Sequence, residues 1–124
     1  LSIVASITAA IGEEIIFRLL FIPFSLWLIS CKMLQQRYFE PLFWILTVIS
    51  ALLFAAGHIP SAMALLGLDS AGQIPPIILG EILLLNSVLS IPAAYYLRRY
   101  GFLAAVGIHF WTDIVWHVLY GLVA

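Results

Sequence analysis

Apolar residues fill four long stretches of the chain, and short polar punctuation separates them. The first stretch covers residues 1–30 and stops at the polar run 31–40, which carries Lys32, Gln35, Gln36 and Arg37. A second opens at Pro41 and reaches His58. Proline suits a first helical turn, because the N–H it lacks would be unpaired there. Pro60, just past His58, is expected to end the second helix. Segment 61–73 reads as a loop from its Gly67, Asp69, Ser70 and Gly72, with an apolar first half, 62–66, resting on or dipping into an interface. The third stretch follows Pro75 and Pro76 to residue 97, with a kink expected at Pro92. Arg98, Arg99 and Gly101 divide it from the fourth, residues 102–124.

A membrane helix needs about 20 apolar residues to cross ~30 Å of hydrocarbon, and each stretch has that length. The pattern predicts an all-α, polytopic transmembrane helix bundle of about four spans, in a single domain covering residues 1–124. Beginning at Leu1, with no basic segment before its apolar run, the chain reads as a fragment of a longer membrane protein without a signal peptide.

Composition strengthens this reading. Of the residues, 65% are hydrophobic and 9% charged, against about 45–50% apolar in a soluble domain, and the mean hydropathy is +1.17. A net charge of −1 gives no electrostatic basis for binding nucleic acid. Cys31 is the sole cysteine, so no internal disulfide forms; it reads as an interfacial residue, with S-acylation the alternative. Cations follow the first and third spans (Lys32, Arg37, Arg98, Arg99), while the connection after the second has Asp69 and no Lys or Arg. The positive-inside rule therefore assigns loops 31–40 and 98–101 to the cytoplasm.

Candidate chemistry lies in the polar residues within the spans. A charge at the centre of a membrane helix costs roughly 2.5–3.5 kcal/mol on insertion scales, so it invites a functional explanation. The first span reads EEIIFR from Glu13 to Arg18. Glu14 and Arg18 are i,i+4 neighbours that can pair, while Glu13 points about 100° away, free to face a cavity. The second span reads FAAGH from Phe54 to His58, an aromatic ring one turn before a histidine. The fourth places His109, Asp113 and His117 on one stripe. Each has a purely structural alternative: a locking ion pair, an interfacial histidine, an interhelical hydrogen-bond network. Glu81 and Asn86 in the third span fit none of these patterns, and Glu81 reads as a carboxylate near a helix N-terminus.

Taken together, EExxxR, FxxxH and Hxxx(N/D), in this order and in separate spans, resemble the motifs of the CAAX protease and bacteriocin-processing (Abi) family of intramembrane endopeptidases. That family includes the Ras-converting prenyl-protein peptidases. The matching stretch runs over residues 5–113. The resemblance implies an intramembrane endopeptidase that hydrolyses a peptide bond of a membrane-associated protein or peptide, prenylated substrates among them. Glu13 and His58 would activate water, Glu14, Arg18 and Phe54 would support them, and His109 and Asp113 would stabilise the oxyanion. Relatives with asparagine at the last position can donate an N–H; an ionised Asp113 cannot, unless Asp113 or His109 carries a proton. No cofactor is favoured, but Glu13, His58, His109 and Asp113 also form a mixed N/O donor set suited to zinc. Two non-proteolytic readings remain: a bacteriocin self-immunity or scaffold protein, and a proton or ion pathway.

One expectation runs against easy assembly. At ~1.5 Å per residue, Glu13 and His58 lie roughly 25 Å from the basic loops and His109 about 15 Å from Arg98, so they meet only if helices are tilted, unequal, or broken near Gly101 and Gly107.

Overall fold

The computed structural model describes residues 2–120, apart from the side chains of residues 2, 117, 118 and 120; the His117 side chain and residues 121–124 of the fourth span fall outside that description. Helix dominates, and no strand occurs among the described residues. The first rod is α1 (Ser2–Glu14), a π-helical tract Ile15–Phe21, α2 (Ile22–Leu26) and a second π-helical tract Trp27–Met33. Its apolar portion, Ile3–Met33, is long enough to cross a membrane. The π turns, whose bonds run i→i+5, rotate the side-chain register partway along the rod. The first contains Arg18 and the second follows Pro23 by one turn.

The rod closes on Leu34, whose N–H donates to the Ile29 carbonyl at 3.0 Å, and Ser30 Oγ donates to the Arg37 carbonyl at 3.1 Å. Gln35, Gln36 and Tyr38 take positive φ values of 53°, 65° and 58° to reverse the chain. Then α3 (Phe39–Gly57) begins, with Pro41 in its first turn as expected.

The structure corrects the sequence reading beyond this helix. Pro60 does not end a helix and residues 61–66 are not loop: the break falls at His58, and α4 (Ile59–Leu66) starts at once with Pro60 in its first turn. Proline is compatible with the first turn of a new helix as well as with the stop of an old one. Gly67, at φ 65°, ends α4, with the Leu68 N–H donating to the Met63 carbonyl at 2.9 Å. After a short 3-10 turn, Ala71–Gln73, α5 (Pro76–Tyr100) runs with Pro92 inside it. Gly101 alone, at φ 92°, joins it to α6 (Phe102–Asp113), which continues as π turns over Ile114–Tyr120.

Packing closes a ring of four rods: α1 lies against α6, α6 against α5, α5 against α3, and α3 against α2. Ile22, Leu26, Phe43, Leu46 and Ala94 form the apolar core between the first rod, α3 and α5. Small side chains let the backbones approach elsewhere: Ala51, Ala55, Ala93 and Ala105 are fully buried. Large apolar side chains cover the outside, Leu65 at 87% and Leu103 at 81% exposure among them, as a hydrocarbon solvent requires. Three helices are long and apolar enough to span a membrane, and the shorter Phe102–Trp116 packs with them. At one end Arg98 Nη1 donates to Glu40 Oε2 at 2.8 Å and Nη2 pairs with Oε1, bringing the two basic stretches to the same end of the bundle.

Candidate active site

Phe54 is the hub. It is 1% exposed, and its ring meets Phe17, His58 and His109 edge-on at centroid distances of 5.5, 4.8 and 5.5 Å. The Arg18 guanidinium lies 4.4 Å from the same centroid. One aromatic side chain on α3 therefore touches residues from all three predicted motifs.

The three motifs are built locally by i,i+4 neighbours. On the first rod Arg18 Nη1 lies 3.2 Å from Glu14 Oε1, with both side chains essentially inaccessible. Arg18 Nη2 also donates to Ser90 Oγ on α5. At the end of α3 the His58 N–H turns back to the Ala55 carbonyl, and the His58 ring takes up the Phe54 carbonyl at 2.9 Å. A carbonyl only accepts, so Nδ1 is the donating nitrogen and Nε2 is left facing away from that bond. On α6, His109 Nε2 and Asp113 Oδ1 lie 3.7 Å apart.

His109 joins the motifs to one another. Its Nδ1–H donates to Glu14 Oε1 at 3.0 Å, and its Nε2 lies 3.6 Å from Glu13 Oε2. Nε2 thus faces two carboxylates, those of Glu13 and Asp113, each beyond direct hydrogen-bond distance. Glu13 is the more accessible of the glutamates, at 34% against 0% for Glu14, yet its Oε2 is buried without a hydrogen-bond donor. Glu14 is paired with Arg18 as the i,i+4 spacing predicts, while Glu13 faces His109 instead. The close charged contact of Glu13 is thus His109 and not His58. The feared offset in depth does not keep the groups apart, because α6 starts directly at Gly101 and packs against α1.

A cavity of about 590 Å³ opens beside these groups, between α5, α6 and the end of α3. His58, His109 and Asp113 line one side of it, and Glu81 and Asn86 the other. Sequence reasoning assigned no site role to Ser90, Glu81 or Asn86. The signal was present: each is a polar residue in an apolar span, but none belongs to a local pair that spacing could reveal. As for metal, no group of three His, Cys, Asp or Glu side chains among the described residues is arranged to hold an ion.

Residues 1–115 match the family described as type II CAAX prenyl endopeptidase, Rce1-like. The chain belongs to that family. No curated protein and no solved structure gives a significant match. Membership agrees with the motif-based resemblance and with the membrane-embedded helical bundle, and at family level it makes the chain a CAAX-type intramembrane protease.

Proposed function

We propose that this membrane-embedded site hydrolyses a peptide bond of a membrane-associated protein or peptide, prenylated substrates included, with water as the nucleophile. The observation that supports it best is the meeting of all three motifs around Phe54 and His109. Glu13, with His58, takes a proton from water as its oxygen adds to the scissile carbonyl. His109 stabilises the resulting oxyanion through a proton at Nε2, oriented by Glu14, which Arg18 and Ser90 fix in turn. The proton taken from water then passes to the leaving amine, giving one new carboxylate and one new amine. Asp113 helps to hold the proton at His109, which is how an aspartate serves where relatives use asparagine.

This chemistry is read as metal-free. His109 Nδ1 donates to Glu14, and the Glu13 and Asp113 carboxylates lie 3.6 and 3.7 Å from Nε2, a setting in which we read a proton rather than a cation at that point. Both basic loops are read as cytoplasmic. Gln36→Cys should resist labelling from outside the cell while Ser70→Cys is labelled, and the reverse pattern would invert the orientation.

Reconstitution in proteoliposomes tests the proposal. A farnesylated reporter peptide should be cut, with a new amino terminus detected by mass spectrometry. Proton flux without peptide turnover would overturn it in favour of an ion pathway.

A further inference from the structure

The third span carries two polar residues that no family motif explains. Glu81 and Asn86 both line the cavity that holds His58, His109 and Asp113. Neighbouring residues on that wall, such as Ile78, Leu85 and Leu89, are apolar. Glu81 is exposed and Asn86 half-buried, and a carboxylate and an amide in a membrane helix are costly where they face lipid and tolerated where they share a cavity with other polar groups, here His58, His109 and Asp113. Asn86 commits one N–H to the Ile82 carbonyl at 2.8 Å. Its second N–H and its carbonyl oxygen remain, a donor and an acceptor that complement the C=O and N–H of a peptide group. Glu81 precedes Asn86 by five residues, about 7.5 Å along the helix axis and about 140° around it, so the two stand at opposite edges of the cavity wall. The axial offset matches roughly two residues of an extended peptide lying along the wall.

We propose that this face of α5 is the substrate-recognition wall: Asn86 grips the main chain beside the bond to be cut, and Glu81 selects a cationic residue about two positions along. This rests on the protease reading above. Peptide enters as an extended strand between α5 and α6, its backbone held on the Asn86 side while the scissile carbonyl faces His109. The preference for a cation comes from one carboxylate at the wall and is lost or reversed by changing it.

The test uses the full chain in nanodiscs and a set of farnesylated fluorogenic peptides in which a single lysine, or a single glutamate, replaces a neutral residue at each position around the cut bond. Wild type should favour lysine over glutamate at one position by about fivefold in kcat/KM, the size of one partly screened ion pair. Glu81→Gln should level that ratio and Glu81→Lys invert it. Asn86→Leu should raise KM about five- to tenfold for every peptide with less change in kcat, as the loss of a hydrogen bond to bound substrate predicts, and Asn86→Gln should recover part of it. An unchanged lysine-to-glutamate ratio in Glu81→Gln and Glu81→Lys would overturn the cation selection; an Asn86 effect confined to kcat, or to folding yield, would overturn the clamp. If wild type cleaves no peptide of the set, the protease reading fails and the recognition wall falls with it. Cleavage by wild type with indifferent variants overturns the wall alone.

Discussion

Two carboxylate–guanidinium pairs stand at different depths of this bundle. Glu40 and Arg98 meet at the end bearing the basic loops, with side chains 60% and 37% exposed. Glu14 and Arg18 meet inside, at 0% and 1%. The outer pair has water as an alternative partner, so it adds little to stability. The inner pair has none, and a buried ion pair is often no better for stability than apolar packing of the same volume. Its retention therefore calls for a role beyond stability. The contacts supply one: the same Glu14 oxygen that faces Arg18 accepts the His109 Nδ1–H, so the pair orients an imidazole beside Glu13. The outer pair touches no predicted site residue among its contacts: Arg98 lies over Phe39 and Phe43, and Glu40 accepts from the Trp44 side chain.

Breaking the inner pair should have the larger effect. Glu14→Gln leaves Arg18 as a buried charge with a neutral neighbour, and destabilisation of about 3–5 kcal/mol is expected. It should appear as loss of monodisperse protein in detergent and a lower unfolding temperature. Ser90→Ala removes one acceptor from the same arginine and should cost about 1–3 kcal/mol. A thermal shift indistinguishable from wild type would disconnect Ser90 from the cluster.

Asp113→Asn sharpens the comparison from the other side of His109. Asparagine keeps the shape and can supply an N–H donor, so most of the activity should survive, with no dependence on chelators. Stoichiometric zinc in wild type, lost from the variant together with activity, would instead make Asp113 a ligand. Glu40→Gln is the smallest change: a barely measurable shift in unfolding temperature, shrinking further in salt. A collapse comparable to that of Glu14→Gln would erase the distinction between the two pairs.

How much of this was legible in the sequence depended on distance along the chain. The pairs Glu14–Arg18, Phe54–His58 and His109–Asp113 are all one helical turn apart, and local spacing revealed each of them. The meeting of Glu13 with His109 joins the two ends of the chain, and span counting even argued against it. Ser90 gave only the weak signal of one hydroxyl in an apolar helix, with no local partner for spacing to reveal. The polar run 31–40 placed the reversal after the first rod, but not its geometry, because Gln35, Gln36 and Tyr38, none of them glycine, take left-handed φ values. Pro60 misled because proline opens helices as readily as it closes them.

The central claim is that Glu13 is the member of the glutamate pair left open for chemistry, while Glu14 is structural. Turnover of the farnesylated reporter peptide by Glu13→Gln, measured beside wild type on protein that is monodisperse in detergent, tests this most directly. The account predicts a loss of about 10²–10⁴-fold, the usual contribution of a general base, with insertion and unfolding temperature unchanged. A folded Glu13→Gln protein that turns over substrate at the wild-type rate would contradict it.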